Sequence, residues 1–307
     1  MRPRTWAWFL LCLLTLNICR AGTPESLVVA TFNLENYLLE PAGNRPSKSI
    51  AARDQVAREI AAIRPDVLAI QEIGPGGAMG DLQQRVRTAG WELPHTEVVG
   101  GWDTNIWVAV LSRYPFRARR SHTNDSFLLG GRRWHSSRGI AEVDVEPRPG
   151  IRFTLLSTHL KSKRPSANAD EAELREAETR LLRQHVDAAF QRDPHVALIV
   201  CGDLNDHKDS RPIRLLLGKG PGALVDTRPA EREVNGSRSQ STEHQTRRVV
   251  WTHHYAQEDS YARFDYILLS RTMAKRWRPA GSYVFADPDW GLASDHRPVV
   301  CEFSLNN

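Results

Sequence analysis

The sequence predicts an α/β protein with a mixed β-sheet, and three observations indicate this class. Within residues 27–70, an apolar run of strand length, a segment of helical periodicity and a second apolar run follow one another. A tight turn at 146–150 joins two further apolar runs into a hairpin, so the sheet is not purely parallel. A long helical segment, 170–191, then leads into the buried apolar run 196–200.

The first predicted helix covers residues 49–63. Its apolar side chains fall on one helical face, and Pro65 follows the segment and ends it, because a proline ring does not fit inside a helix. The remaining predicted elements in this half of the chain are strand 27–32, strand 67–70, loop 74–80 and strand 106–111.

The longest predicted helix covers residues 170–191. Acidic residues crowd its first turn, where they favour the positive end of the helix dipole, and Pro194 follows its end. Residues 206–262 are predicted to be irregular with a polar centre at 235–248, and loops of that length are mostly functional or disordered. The remaining predicted strands are 140–145 and 151–156, which form the hairpin, then 196–200, 264–269 and 299–303.

The first 21 residues have the layout of a secretory signal peptide. Arg2 and Arg4 form a basic start, residues 6–18 are mainly apolar, and small residues precede a cleavage site after Ala21. The alternative, a membrane anchor, is disfavoured because crossing a bilayer takes about 20 apolar residues. The sequence therefore predicts an exported protein, periplasmic or extracellular, with no stable membrane anchor and one domain over residues 22–307.

The mature chain is close to neutral. The whole sequence has a formal net charge of +5, and removing residues 1–21 deletes three arginines and no acids, which leaves +2. Net charge alone therefore does not predict a strongly basic nucleic-acid surface, although basic clusters occur at 132–138 and 161–164. Cys201 and Cys301 remain after cleavage in apolar runs, which favours two buried free thiols over a disulfide.

Polar residues of metal-binding types recur where the predicted strands end. Each of them alone is typical of a turn or a surface charge. Several together indicate one site, because rigid strands that end at a common rim hold such groups in a defined geometry. At strand ends lie Asn33, Glu72, His159 and Asp203 with Asn205, whereas Asp265 lies within strand 264–269 and Asp295 with His296 precedes the last strand.

Around these positions the sequence resembles the endonuclease/exonuclease/phosphatase superfamily. The similar segments are TFNLEN (31–36), IQE (70–72), STHLKS (157–162), CGDLND (201–206), RFDYILLS (263–270) and SDHRPV (294–299). The combination of GDLN with SDH is the most specific part. The resemblance, to deoxyribonuclease I-like and exonuclease III-like proteins, implies a four-layer α/β/β/α sandwich with two packed mixed β-sheets.

The resemblance also implies a divalent-metal site. Glu72 matches the principal metal carboxylate, and Asp295 matches a further carboxylate near the metal. Asn33 matches a partner of Glu72 that acts either as a ligand or as a support. Oxygen ligands without cysteine suit Mg²⁺ or Mn²⁺.

Five residues match the family's catalytic positions. His159 and His296 match its two active-site histidines, and Asp265 matches the carboxylate that orients the second one. Asp203 matches the group that aligns or deprotonates the attacking water, and Asn205 matches a donor to the phosphate. The resemblance leaves open whether Asp203 or His296 is the general base.

Arg138 and Lys161 are further candidates for substrate binding. Arg138 opens a strand where relatives often place an arginine that faces phosphate, and Lys161 either contacts phosphate or is a solvated surface residue. His207, His253 and His254 lie in or beside the irregular region and are interpreted as surface histidines.

The sequence therefore predicts an exported, metal-dependent phosphoesterase that hydrolyses phosphodiester bonds, foremost a nuclease acting on DNA or RNA. The alternative is a lipid or sugar-phosphate phosphodiesterase or phosphatase of the sphingomyelinase type, which the lack of an apolar hairpin for membrane entry disfavours. A third interpretation is an inactive binding module on the same fold, which the intact set of motif residues opposes. The sequence predicts no oligomeric state.

Overall fold

The structure is a computed structural model that describes residues 25–166, 169–233 and 248–306. The predicted signal peptide, residues 1–21, and most of the predicted polar centre at 235–248 lie outside the described residues. Within those ranges, no helix has the length and apolar character needed to cross a membrane.

The described residues contain six α-helices and 17 strands. The helices are α1 (Ile50–Ile63), α2 (Ala78–Thr88), α3 (Glu171–Arg192), α4 (Arg211–Leu217), α5 (Arg271–Ala274) and α6 (Trp290–Ala293). The strands are β1 (Ser26–Tyr37), β2 (Val67–Ile73), β3 (His95–Val99), β4 (Trp107–Ser112), β5 (Phe116–Arg119), β6 (Ser126–Leu129), β7 (Arg132–His135), β8 (Ala141–Arg148), β9 (Ile151–His159), β10 (Leu198–Asp203), β11 (Val225–Asp226), β12 (Glu231–Glu233), β13 (His253–Tyr255), β14 (Ser260–Ala262), β15 (Asp265–Leu269), β16 (Trp277–Ala286) and β17 (Val299–Ser304).

Two large mixed sheets pack face to face. One has the strand order β12-β16-β17-β1-β2-β4-β3, and the other has the order β11-β15-β10-β9-β8-β5. Successive side chains of a strand point to opposite faces, so alternate apolar residues of both sheets meet between them, as Val29, Val143 and Ile267 do. Cys201 and Cys301 lie in this core as free thiols, which confirms the prediction.

Helices cover the outer face of each sheet. On the seven-stranded sheet, Ile60 of α1 and Leu82 of α2 pack against residues such as Phe32. On the six-stranded sheet, Leu182 of α3 packs against residues that include Leu268. The four layers, α/β/β/α, are those that the family resemblance implies.

Several elements differ from the sequence prediction. Helix α2 begins at Ala78, inside the predicted loop 74–80. This helix was not predicted, because only three of its residues are buried and its apolar pattern is sparse. The predicted irregular region, 206–262, contains α4 and strands β11 to β14. Strand β16 was not predicted, because it is largely half-exposed and lacks a regular apolar alternation. Strand β1 continues beyond Asn33 to Tyr37.

Candidate active site

Strand pairing brings the predicted site residues to one edge of the two sheets. In the six-stranded sheet, Asp203 pairs with His159 on one side and with Asp265 on the other, so three site residues share one row. In the seven-stranded sheet, Asn33 pairs with Gln71. The two rows meet because Asn33 Nδ2 donates a hydrogen bond to Asp203 Oδ2 at 3.0 Å.

Glu72 reaches this edge through an irregularity in β2. The pairing of β2 with β4 shifts between Gln71 and Ile73, and Glu72 has a left-handed backbone with φ 64°. A bulge of this kind reorients a side chain that would otherwise follow the alternation of the strand. The Glu72 carboxylate accepts hydrogen bonds from Asn36 N–H at 2.8 Å and from Asn33 Nδ2 at 3.4 Å.

Asp203 is the centre of the cluster, and only 1% of it is exposed. Its Oδ2 accepts hydrogen bonds from the side-chain amides of Asn33 and Asn205, at 3.0 and 3.2 Å. The Nε2 atoms of His159 and His296 lie 3.5 and 3.8 Å from the same oxygen. Burial raises the pKa of Asp203 to about 7, because the nearby positive charge and hydrogen bonds offset only part of the cost of burying a carboxylate.

His296 and Asp265 form a buried pair. His296 Nδ1 lies 2.8 Å from Asp265 Oδ2, which leaves His296 Nε2 facing Asp203. Burial alone would lower the pKa of His296, but the charges of Asp265 and Asp203 outweigh it and raise that pKa well above its usual value. The site therefore favours the charged form of this imidazole.

Ser294 positions the turn that carries Asp295 and His296. Its hydroxyl donates a hydrogen bond to the carbonyl oxygen of Asn33 at 2.8 Å and accepts one from the His296 N–H at 3.0 Å. Ser294 is fully buried. The serine of the SDH segment thus ties β1 at Asn33 to His296.

His159 has the opposite protonation preference to His296. Its pKa is lowered well below the usual value by burial and by the positive charges of Arg138 and His296. Its Nε2 lies 3.5 Å from Asp203 and 3.9 Å from Glu72, and its Nδ1 has no hydrogen-bond partner among the described residues. The site therefore favours the neutral form of His159 and the charged form of His296.

Negative charge collects at the rim around Glu72 and Asp295. Partial burial and the charges of Asp295 and Glu72 raise the pKa of the nearby Glu35. Lys48 Nζ lies 3.6 Å from Glu35 Oε2 and compensates part of this charge. Neighbouring carboxylates favour a bound cation, and carboxylate oxygens are the ligands that Mg²⁺ and Mn²⁺ prefer. These residues therefore fit the implied metal.

The sequence profile of the Endonuclease/Exonuclease/phosphatase family matches residues 30–296, a range that includes the whole cluster. The chain belongs to this family. No curated protein sequence is similar enough to this chain to count as a match.

Solved structures of other proteins share the fold. TDP2 from Caenorhabditis elegans has a TM-score of 0.61 at 16% identity, over 91% of this chain and 97% of that chain. Sphingomyelinase C from Streptomyces griseocarneus has a TM-score of 0.58 at 22% identity, over 92% and 100%. The human nocturnin catalytic domain has a TM-score of 0.60 at 18% identity, over 91% and 94%. At these identities the similarity shows the fold alone.

In this family member, Asn33 is oriented as a supporting residue. Its Oδ1 accepts a hydrogen bond from the Glu35 N–H at 3.0 Å, so its Nδ2 faces Glu72 and Asp203. An amide in this orientation holds the two carboxylates and does not offer its oxygen to a metal. Of the two roles that the sequence left open for Asn33, the geometry favours support.

His253 borders the site, in contrast to its interpretation as a surface histidine. Its ring centroid lies 4.6 Å from that of His296, and its Nε2 lies 3.7 Å from Asp295 Oδ2. His254 instead contacts the exposed Asp259. The sequence carried no signal for His253, because its position depends on the β13–β14 hairpin inside the region predicted to be irregular.

Arg138 lies close enough to the predicted site residues to influence their charge. It is 7% exposed, a guanidinium nitrogen lies 3.7 Å from Asp103 Oδ2, and its charge helps to lower the pKa of His159. The backbone before it is anchored by α3, because the Ser137 N–H donates to a Glu178 carboxylate oxygen at 2.8 Å. The charge of Arg138 thus acts on the predicted site residue His159.

Lys161 is anchored by the same glutamate, but its ammonium group is engaged elsewhere. The Lys161 N–H donates to the second Glu178 carboxylate oxygen at 2.6 Å. Lys161 Nζ donates to the carbonyl oxygens of Ser162 and Arg164, at 3.1 and 3.0 Å. The structure therefore brings together the eight predicted catalytic and metal residues, with Arg138 beside them and the Lys161 ammonium bound to its own loop.

Proposed function

We propose that the protein hydrolyses phosphodiester bonds with a divalent cation, and that its substrate is DNA or RNA. The observation that carries the proposal is the convergence of the Asp265–His296 pair, the buried Asp203 and the carboxylate of Glu72 at one rim. Such a set combines a proton acceptor, hydrogen-bond donors for phosphate oxygens and hard oxygen ligands for a cation.

Glu72 and Asp295 would hold the cation, Mg²⁺ or Mn²⁺, and Asn33 would support Glu72. When bound, the cation neutralises a non-bridging phosphate oxygen and the developing charge on the leaving oxygen. The remaining steps fall to side chains of the protein.

Asp203 would orient the attacking water and accept its proton. A carboxylate with a pKa of about 7 is partly ionised at neutral pH and still binds a proton well, which suits a general base. Asp265 holds the His296 ring through Nδ1, so that the charged Nε2 edge stays beside Asp203 and favours its ionised form.

Asn205, His159 and Arg138 would bind the phosphate. The neutral His159 imidazole donates a hydrogen bond to a phosphoryl oxygen, and Arg138 supplies a positive charge. The Asn205 amide donates to Asp203 Oδ2 and to the Leu160 carbonyl oxygen, and it would exchange one of these acceptors for a phosphoryl oxygen. Donors held in advance by the fold stabilise the pentacovalent state without having to reorganise during the reaction.

A basic and aromatic hairpin beside Arg138 favours nucleic acid as the substrate. Arg132 and Arg133 are exposed on β7, which leads directly towards Arg138. Trp102 is 69% exposed, and one face of its ring stacks on His135 with 4.3 Å between centroids. Arginines neutralise phosphates, and an exposed indole stacks on bases, so this surface suits a polynucleotide that extends from the site.

The test measures hydrolysis of plasmid DNA, RNA and bis-p-nitrophenyl phosphate with Mg²⁺ or Mn²⁺. We expect hydrolysis of the small diester and of at least one nucleic acid. The matched control Asp203→Asn, which keeps the side-chain size, should hydrolyse neither. Cleavage of the small diester alone would exclude nucleic acid as the substrate. Absence of metal-dependent hydrolysis of any of them would favour the inactive binding module.

A lipid phosphodiesterase is a second candidate, which the exposed apolar side chains near the hairpin favour. Leu128 on β6 and Trp102 are each 69% exposed. Sphingomyelin vesicles distinguish the two functions. Release of phosphocholine from vesicles, without cleavage of DNA or RNA, would support the lipid substrate.

We also propose that residues 1–21 direct export and are removed. The support is their basic start, apolar run and small residues before the cleavage position. Mass spectrometry of the exported protein should find Gly22 at the N-terminus. An uncleaved chain retained with the cells would contradict this proposal.

A further inference from the structure

We propose that His253, Asp295 and His296 form a second cation site, selective for zinc, whose occupation inhibits the enzyme. One ligand atom from each of these residues lies within 4.8 Å of the other two. The inhibitory effect rests on the proposed function, whereas zinc binding does not depend on it.

The geometry matches a zinc site that needs only a small closure. His253 Nε2 lies 3.7 Å from Asp295 Oδ2, and His296 Nε2 lies 3.9 Å from Asp295 Oδ1. Ligand atoms around a tetrahedral zinc ion lie about 3.4 Å apart, given metal–ligand distances near ~2.1 Å. Two imidazole nitrogens and one carboxylate oxygen are common zinc ligands, and they leave a fourth position for water.

The three ligands are held by backbone contacts between the loops that carry them. His253 and His296 are paired as a β-bridge, and the His254 N–H donates to the Asp295 carbonyl oxygen at 2.9 Å. The His253 ring also stacks against Phe264, with 5.2 Å between centroids. These contacts reduce the conformational freedom that would be lost on binding a cation.

The Asp265–His296 pair provides a second argument for a metal at His296. A histidine that binds a metal through one ring nitrogen commonly gives the other N–H to a carboxylate, which fixes its tautomer and orientation. His296 Nδ1 lies 2.8 Å from Asp265 Oδ2, and its Nε2 faces Asp295. His296 is therefore oriented to bind a metal as well as to act in catalysis.

Zinc and magnesium would use different parts of the rim. Mg²⁺ prefers oxygen ligands such as those of Glu72, whereas zinc favours the imidazoles of His253 and His296. A zinc ion here would displace the proton of His296 Nε2, the atom that lies 3.8 Å from Asp203, and release it to solvent. It would also share Asp295. Occupation would thus remove His296 from catalysis and weaken the magnesium site, so zinc acts as an inhibitor.

Calorimetric titration of the metal-free protein with zinc chloride tests binding without any substrate. We expect one zinc ion to bind the unmodified protein and the control His254→Gln, which changes the neighbouring histidine outside the cluster. His253→Gln should bind zinc at least about tenfold more weakly. Loss of a residue that only hydrogen-bonds to a metal ligand already lowers metal affinity by about 10–100-fold. His253→Cys should retain binding, because a thiolate is a zinc ligand. Equal binding by His253→Gln would overturn the proposal.

Cobalt(II) is a probe that needs no variant and guards against His253→Gln failing to fold. At the proposed site it should give the intense visible absorption of tetrahedral coordination, whereas an oxygen-only site gives the weak absorption of octahedral coordination. Purely octahedral absorption would overturn the nitrogen-containing site.

Inhibition is measured on bis-p-nitrophenyl phosphate at constant Mg²⁺, with each variant compared with its own zinc-free rate. The zinc concentration for half-inhibition should rise about tenfold in His253→Gln, in line with the loss of a ligand, and stay unchanged in His254→Gln. Zinc binding by the unmodified protein without loss of activity would overturn the inhibitory role.

Discussion

Asn33 Nδ2 donates a hydrogen bond to Asp203 Oδ2 at 3.0 Å, although 170 positions separate the two residues in the chain. Asn33 belongs to the seven-stranded sheet and Asp203 to the six-stranded sheet, so this hydrogen bond joins the two sheets at the edge that carries the predicted site residues. The same amide also faces Glu72 at 3.4 Å. One side chain therefore sets the distance between the proposed metal carboxylate and the proposed base.

Replacing Asn33 by Ala should lower kcat on a small diester by roughly 10²-fold, because one positioned donor is worth about that much. The loss of a donor to Asp203 should also raise the pKa of that carboxyl further. The acid limb of the pH–rate profile should therefore move to higher pH. A normal rate with an unchanged profile would remove Asn33 from the site.

Chelation should abolish activity, and Mg²⁺ or Mn²⁺ should restore it. The reason is the carboxylate set around Glu72 and Asp295. Glu72→Gln should raise the metal concentration needed for half-maximal activity, because it removes a charged oxygen ligand. Full hydrolysis in excess EDTA, or restoration by zinc alone, would contradict the metal assignment.

Asp265→Asn should lower kcat by roughly 10²–10⁴-fold while the protein stays folded. The change removes the largest of the charges that raise the pKa of His296, so this pKa falls and the imidazole loses the carboxylate that orients it. The rate on bis-p-nitrophenyl phosphate measures the loss of activity, and thermal unfolding curves show whether the variant is folded. A folded variant with a near-normal rate would show that the Asp265–His296 pair is structural.

Replacing Arg132 and Arg133 together by Ala should raise the KM for DNA but hardly change hydrolysis of a small diester. A small diester would be held at the site alone, whereas a polynucleotide under the proposed function would also contact the hairpin. The slope of log rate against log salt for DNA should shrink by about one unit for each phosphate that an arginine no longer neutralises. Arg117→Ala with Arg152→Ala, two arginines paired with Glu146, is the matched control. Equal effects on both substrates would place Arg132 and Arg133 in the catalytic centre or the fold.

Glu59→Gln should stabilise the protein, and more so at pH 9 than at pH 5. Glu59 is 1% exposed, and burial raises its pKa from 4.5 to about 8. Between those values the folded protein binds more protons than the unfolded chain, so the stability of the unmodified protein falls as pH rises. In Glu59→Gln no carboxyl group titrates at this position, so this decrease in stability does not occur. The melting temperature of the variant should therefore exceed that of the unmodified protein by about 3 °C or more above pH 8. A pH-independent difference would contradict the shifted pKa.

The sequence by itself determined the α/β class, the mixed sheets and the residues of the cluster. Apolar runs of strand length and helical periodicity are local properties, and site residues such as Asn33, His159 and Asp203 lie at or near the ends of such runs. The family resemblance depends on the same short segments. The candidate residues, the fold class and the type of chemistry are therefore all encoded locally in the chain.

Only the tertiary structure decided how these residues face one another. Glu72 turns towards the site at a bulge, and the Asn33 amide is oriented by the Glu35 N–H. His253 joins the rim through a hairpin in a region that carried no strand signal. These features depend on register and on contacts between distant segments, which packing of the whole core selects and which no local pattern of residues encodes.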